Sequence, residues 1–159
     1  MRLVLLLLAG VVLWACDSSP PIEQPIQFSH KAHIDGGLAC PVCHGTVEQA
    51  AAAGVPSVDT CMMCHQGALT ESPEEEKVRQ FAERAEPIPW RRIYDMPDHV
   101  FFSHRRHVVI ARIGCGECHG AVETLVAPAA YPLVEHSMDW CLGCHAQRGA
   151  TTDCVHCHR

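Results

Sequence analysis

Cys115-Gly116-Glu117-Cys118-His119 sets two thiols three positions apart with an imidazole directly behind them, and the chain repeats this pattern four more times. The copies are Cys40-Pro41-Val42-Cys43-His44, Cys61-Met62-Met63-Cys64-His65, Cys141-Leu142-Gly143-Cys144-His145 and Cys154-Val155-His156-Cys157-His158. Chance, at this Cys and His content, supplies on the order of 0.06 such patterns over the whole length. The spacing has a chemical reason: two thiols on one turn can each add to a vinyl group of the same haem, and the next imidazole then reaches the iron from that side. Zinc also uses Cys-x-x-Cys pairs, but five pairs do not divide into four-thiolate sites, and zinc gives no reason for a His after each pair. A redox dithiol of the thioredoxin type belongs in a βαβ pattern that is absent here, and it too leaves five histidines without a role. The expectation is five covalently attached haem c groups. Cys40, Cys43, Cys61, Cys64, Cys115, Cys118, Cys141, Cys144, Cys154 and Cys157 attach them, and His44, His65, His119, His145 and His158 are the proximal iron ligands.

One cysteine, Cys16, stands outside the motifs. Before it, Arg2 is followed by uncharged residues from Leu3 to Ala15, too few for a membrane-spanning helix of roughly 20 residues, so residues 1–15 read as a signal peptide. Leu13-Trp14-Ala15-Cys16 resembles a bacterial lipobox, which implies lipidation of Cys16 and a location on the periplasmic side of the inner membrane; a plain cleaved signal and a short uncleaved anchor are the alternatives. Aromatic residues make up only 6% of the chain, so something other than a side-chain core has to organise it. The formal charge of -6, to which haem propionates would add, argues against nucleic acid as a partner.

Seven histidines remain beyond the five that end the motifs: His30, His33, His99, His104, His107 and His136 outside them, and His156 within the loop of the fifth. Phe28-Ser29-His30-Lys31-Ala32-His33 precedes the first motif, and Phe102-Ser103-His104-Arg105-Arg106-His107 precedes the third. This internal repeat implies a dihaem module over residues 26–70 and a trihaem module over residues 99–159, with a linker over 16–25 and a connector over 71–98. In the connector, Ser72-Pro73-Glu74-Glu75-Glu76 marks a helix start, with a capping Ser, Pro at the first position and acids in the first turn. The helix should run to about Ala85, where Glu86-Pro87-Ile88-Pro89 stops it and an extended stretch follows through Asp98. The fold expected is mostly irregular with short α-helices, organised around the haems.

These residues resemble the class III multihaem cytochromes c, in particular their small trihaem members. There the first His of an F-x-H-x-x-H segment serves the following haem, the second serves the next, and a further His shortly before the second motif serves the last. The resemblance implies distal ligands His104, His107 and His136 opposite His119, His145 and His158, and His30 and His33 opposite His44 and His65. His99 and His156 are more often solvated or propionate-contacting residues than ligands, with ligation by His99 the stronger alternative of the two, and Met62, Met63 and Met138 are weaker candidates for thioether ligation. Phe28, Phe101 and Phe102 are expected to pack against porphyrin faces, and Arg91, Arg92, Arg105 and Arg106 either pair with propionates or carry solvated charge.

The run from Trp90 to His107, with Cys61-Met62-Met63-Cys64-His65 and Met138-Asp139-Trp140-Cys141, also resembles the pentahaem subunit of alternative complex III. That resemblance implies an electron conduit rather than an enzyme, since filled axial positions leave no open iron for a substrate. Its partners would be an integral quinone-interacting subunit or a molybdopterin-oxidoreductase-like iron-sulfur subunit, with a cytochrome c or terminal oxidase downstream. The rival readings are a free periplasmic shuttle and a multihaem reductase.

Overall fold

The structure is a computed structural model and describes residues 20–158. The signal peptide and the lipidation expected at Cys16 lie outside the described residues. Seven short α-helices follow one another: α1 (His30–Asp35), α2 (Cys40–Cys43), α3 (Val58–Met62), α4 (Pro73–Glu83), α5 (Cys115–His119), α6 (Met138–Arg148) and α7 (Cys154–Cys157). A π-helical turn, Arg106–Ile110, and a 3-10 turn, Val122–Thr124, complete the regular structure. No strand forms among the described residues; an isolated antiparallel bridge joins Val100 to His158. This helix-rich, strand-free architecture fits the mostly irregular fold expected.

Serines start the helices. Ser29, Ser57, Ser72 and Ser137 each accept a hydrogen bond from an amide of the first turn of α1, α3, α4 and α6, satisfying donors that helix geometry leaves without partners. The helix expected from Ser72 is present as α4, with Pro73 first and Glu74, Glu75 and Glu76 in its opening turn. It ends at Glu83 rather than Ala85, because Ala85 adopts a left-handed φ of 50° ahead of Pro87.

Among the described residues, Ile26, Val78 and Ile88 form a buried apolar cluster, with Val58, Cys61, Met62, Phe81 and Trp90 packed around it. This cluster seats α3 on α4. The extended stretch after α4 doubles as a strut: the Trp90 indole donates to Pro56 O at 3.1 Å, and Gln24 exchanges two hydrogen bonds with the Arg91 backbone. Contacts also run between the two halves of the sequence. Lys31 N donates to Leu125 O at 2.9 Å, and Ile22 N donates to Ala130 O at 3.0 Å.

Candidate metal centres

Each motif occupies one turn of helix: α2, the end of α3, α5, the middle of α6, and α7. In the first, second and fifth motifs the His amide donates to the carbonyl of the first Cys at 2.8–3.0 Å. That bond closes the turn and brings the two sulfurs, i and i+3, to the same face. All ten thiols are free. Burial, and after it a neighbouring thiol, pushes Cys43, Cys118 and Cys141 upward, which keeps these thiols protonated. No cluster of three or more His, Cys, Asp or Glu suited to a bare metal ion forms among the described residues.

The imidazoles instead come together in pairs. The centroids of His104 and His119 are 6.2 Å apart with rings within 9° of parallel; His107 and His145 are 6.2 Å apart, and His33 and His65 6.0 Å. Two imidazoles ligating opposite sides of one metal, each through a bond of about 2 Å, place their centroids roughly 6 Å apart. The pairs therefore fit an iron between them. Their tautomers fit too. Nδ1 of His33, His44, His104, His107 and His145 lies 2.6–2.9 Å from the carbonyls of Ser29, Gly54, Ala51, Ser103 and Thr151. With Nδ1–H donating to a carbonyl, the Nε2 lone pair is left free for a metal.

The sequence repeat is also a repeat in space. Phe28 meets His30 edge-on at 4.9 Å and stacks on His33 at 4.3 Å; Phe102 meets His104 edge-on at 4.9 Å and stacks on His107 at 4.7 Å. Both phenylalanines thus orient a pair of histidines. His30 also feels the nearby charge of His44, which adds to burial in lowering its pKa, and its Nδ1 is buried without a partner. The loop after the first motif joins it to the third: Ala51 O receives the backbone N–H and Nδ1 of His104, while Gly54 O receives Nδ1 of His44. Burial, then the charges of His136, His104 and His44, pushes His119 down to about 4, so its imidazole is neutral at physiological pH.

The ring neighbours of His136 among the described residues are Tyr94, His119 and Trp140, not His158. His136 stacks on Tyr94 at 4.8 Å, lies 4.9 Å from Trp140 and 5.9 Å from His119, and its Nε2 is 2.7 Å from Cys118 O. The ring beside His158 is His99, at 5.5 Å and 18°. His156 is exposed and lies 3.6 Å from Asp153. Arg91, Arg92, Arg105 and Arg106 are exposed. Sequence reasoning also missed Glu75. This buried carboxylate accepts from Leu69 N at 2.7 Å, Thr70 N at 3.0 Å and Thr70 Oγ1 at 2.6 Å, and lies 3.6 Å from Nδ1 of His65. Its only local signal was its place in an acidic first helical turn.

A family profile described as class III cytochrome C family matches residues 15–88, and one described as cytochrome c7 and related cytochrome c matches residues 100–159. The menaquinone reductase multiheme cytochrome c subunit of Nitratidesulfovibrio vulgaris (strain Hildenborough) is 40% identical over 99 residues, 61% of this chain and 46% of that protein. The chain thus spans about half the length of this curated relative. No helix among the described residues is long and apolar enough to cross a membrane.

Proposed function

We propose that this chain, whose two stretches match class III and cytochrome c7 family profiles, is a multihaem c-type cytochrome that carries five haem c groups and conducts electrons for a quinone-linked membrane complex on the periplasmic side, as an electron-transfer protein rather than a catalyst. When bound, haem supplies a one-electron ferric/ferrous couple at each motif. The observation that carries this reading is the set of imidazole pairs about 6 Å apart, their Nδ1 atoms mostly anchored on backbone carbonyls. Imidazoles held in place on both sides of each site would hold an iron with little rearrangement between oxidation states and would leave no room on it for a substrate. In this proposal His30, His33, His104 and His107 are distal ligands opposite His44, His65, His119 and His145, within a dihaem and a trihaem module. A lipid on Cys16 holds the protein to the membrane.

The partners that fit are an integral quinone-interacting subunit, an iron-sulfur subunit of the molybdopterin-oxidoreductase type, and a downstream cytochrome c or oxidase, as in alternative complex III. The name of the curated relative favours a second direction of flow, in which electrons enter through the haems and leave to menaquinone. Purification from native membranes tests the assembly: an integral quinone-reactive subunit should copurify, and the intact mass should carry five haems and a diacylglycerol. A protein recovered alone in the soluble fraction would overturn the complex, and fewer than five haems would overturn the count. Mixing the reduced assembly with menaquinone, and the oxidised one with menaquinol, decides the direction.

A further inference from the structure

Beside the fifth motif, the imidazole that packs on His158 is His99 rather than the His136 that the family pattern assigns to it. We propose that His99, not His136, is the sixth ligand of the iron held by Cys154, Cys157 and His158; the inference rests on the haem reading above. The His99 ring packs on His158, with centroids 5.5 Å apart and rings within 18° of parallel, slightly closer than the other pairs and stacked like His104 and His119. This neighbourhood is fixed by backbone. Val100, the next residue, bridges His158, and Phe101 N donates to Cys157 O at 2.7 Å. Val100 N donates to Pro97 O at 2.8 Å, which closes the Pro97–Val100 turn and puts His99 at its tip. Neither nitrogen of the His99 ring has a hydrogen-bond partner among the described residues, so nothing competes with a metal for it.

His136 is engaged by the wrong atom. In five of the proposed ligands Nδ1 faces a carbonyl and Nε2 is free, whereas His136 directs Nε2 to Cys118 O at 2.7 Å. Its ring is wedged between Tyr94 and Trp140, and the Tyr94 hydroxyl accepts from Leu133 N and Val134 N, which fixes the strand of chain leading to it. With His99 as the ligand, the distal imidazoles of the last three motifs all come from one nine-residue run, 99–107. His136 becomes a packing group beside His119.

The test is the spin state of the purified holoprotein. His99→Ala should keep five covalent haems by mass while one fifth of the ferric iron turns from low-spin to high-spin in the electron paramagnetic resonance spectrum, and that same fraction binds carbon monoxide when reduced. His136→Ala should stay wholly low-spin. The reverse result, or no high-spin iron in either variant, overturns the assignment. Should His99→Ala fail to mature, His99→Met keeps a ligand in place: one haem should show the thioether-to-iron charge-transfer band and a raised potential, and its absence overturns the proposal. A wild-type protein without haem on the fifth motif overturns the underlying haem reading instead, and the mass separates the two failures.

Discussion

Glu75 lies next to a proposed iron ligand and is held ionised. The hydrogen bond from the Thr70 hydroxyl, then that from the Leu69 amide, brings its pKa from the ordinary 4.5 to about 2 against the opposing effect of burial. Oε2 lies 3.6 Å from Nδ1 of His65 and 3.8 Å from Arg79. A carboxylate behind a ligating imidazole makes the ring a stronger donor and favours ferric iron. Glu75→Gln should therefore raise the potential of one haem in five by some tens of millivolts, about 59 mV for each tenfold change in relative affinity. A spectroelectrochemical titration in which no component moves would refute this. The stability consequence has a definite sign. A folded pKa below the unfolded one stabilises the protein fully above about pH 4.5, and that contribution is lost as pH falls toward about 2. Glu75→Gln should lose stability at pH 7 and show a flatter decline between pH 4.5 and 2, read from thermal midpoints at several pH values.

Residue placements were legible where they were local. His30, His33, His104 and His107 stand out because Phe-Ser-His-x-x-His occurs twice, and the structure repeats the whole unit, phenylalanine included. His99 stood in the sequence only as a minor alternative, because its neighbour is 59 positions away, brought close by a backbone bridge that no periodicity announces. Glu75 looked like any acid at a helix start; its bonds to Leu69 and Thr70 depend on how the preceding loop folds back.

Among the elements, α4 was the most legible, since its cap, its first-turn proline and its stop all lie in contiguous sequence. What the sequence did not disclose is the use of that helix as the floor for α3 through Val78, Ile26 and Ile88. Ser72 Oγ accepts from Glu74 N at 3.3 Å, so Ser72→Ala should cost about 1 kcal/mol. Ile88, 6% exposed, contributes more: Ile88→Ala should cost roughly 3 kcal/mol through lost burial and the cavity left behind. Chemical unfolding of the two holoprotein variants measures both. Equal costs would mean that the cluster is a surface feature rather than the local core.

At the scale of the whole molecule, apolar burial is too sparse to account for the fold. The buried apolar residues among those described are Ile26, Val47, Val78 and Ile88, and no side chain falls below 2% exposure. Chain entropy of roughly 1 to 2 kcal/mol per residue has to be met by something else, and in the proposed function the porphyrins supply that apolar mass. Residues from distant parts of the chain converge at the third motif. His119 lies near His104, His136 and His44, and Ala51 and Gly54 tie His104 and His44 to one loop. The second motif instead sits beside the Ile26–Val78–Ile88 cluster, where side chains already provide a core. The two positions should respond differently to losing their haem. Replacing Cys61 and Cys64 by Ser should leave a folded, protease-resistant protein with four haems, whereas replacing Cys115 and Cys118 should abolish accumulation of resistant holoprotein. Haem staining and limited proteolysis of the two variants decide it, and equal survival would show that the third site does not organise the fold.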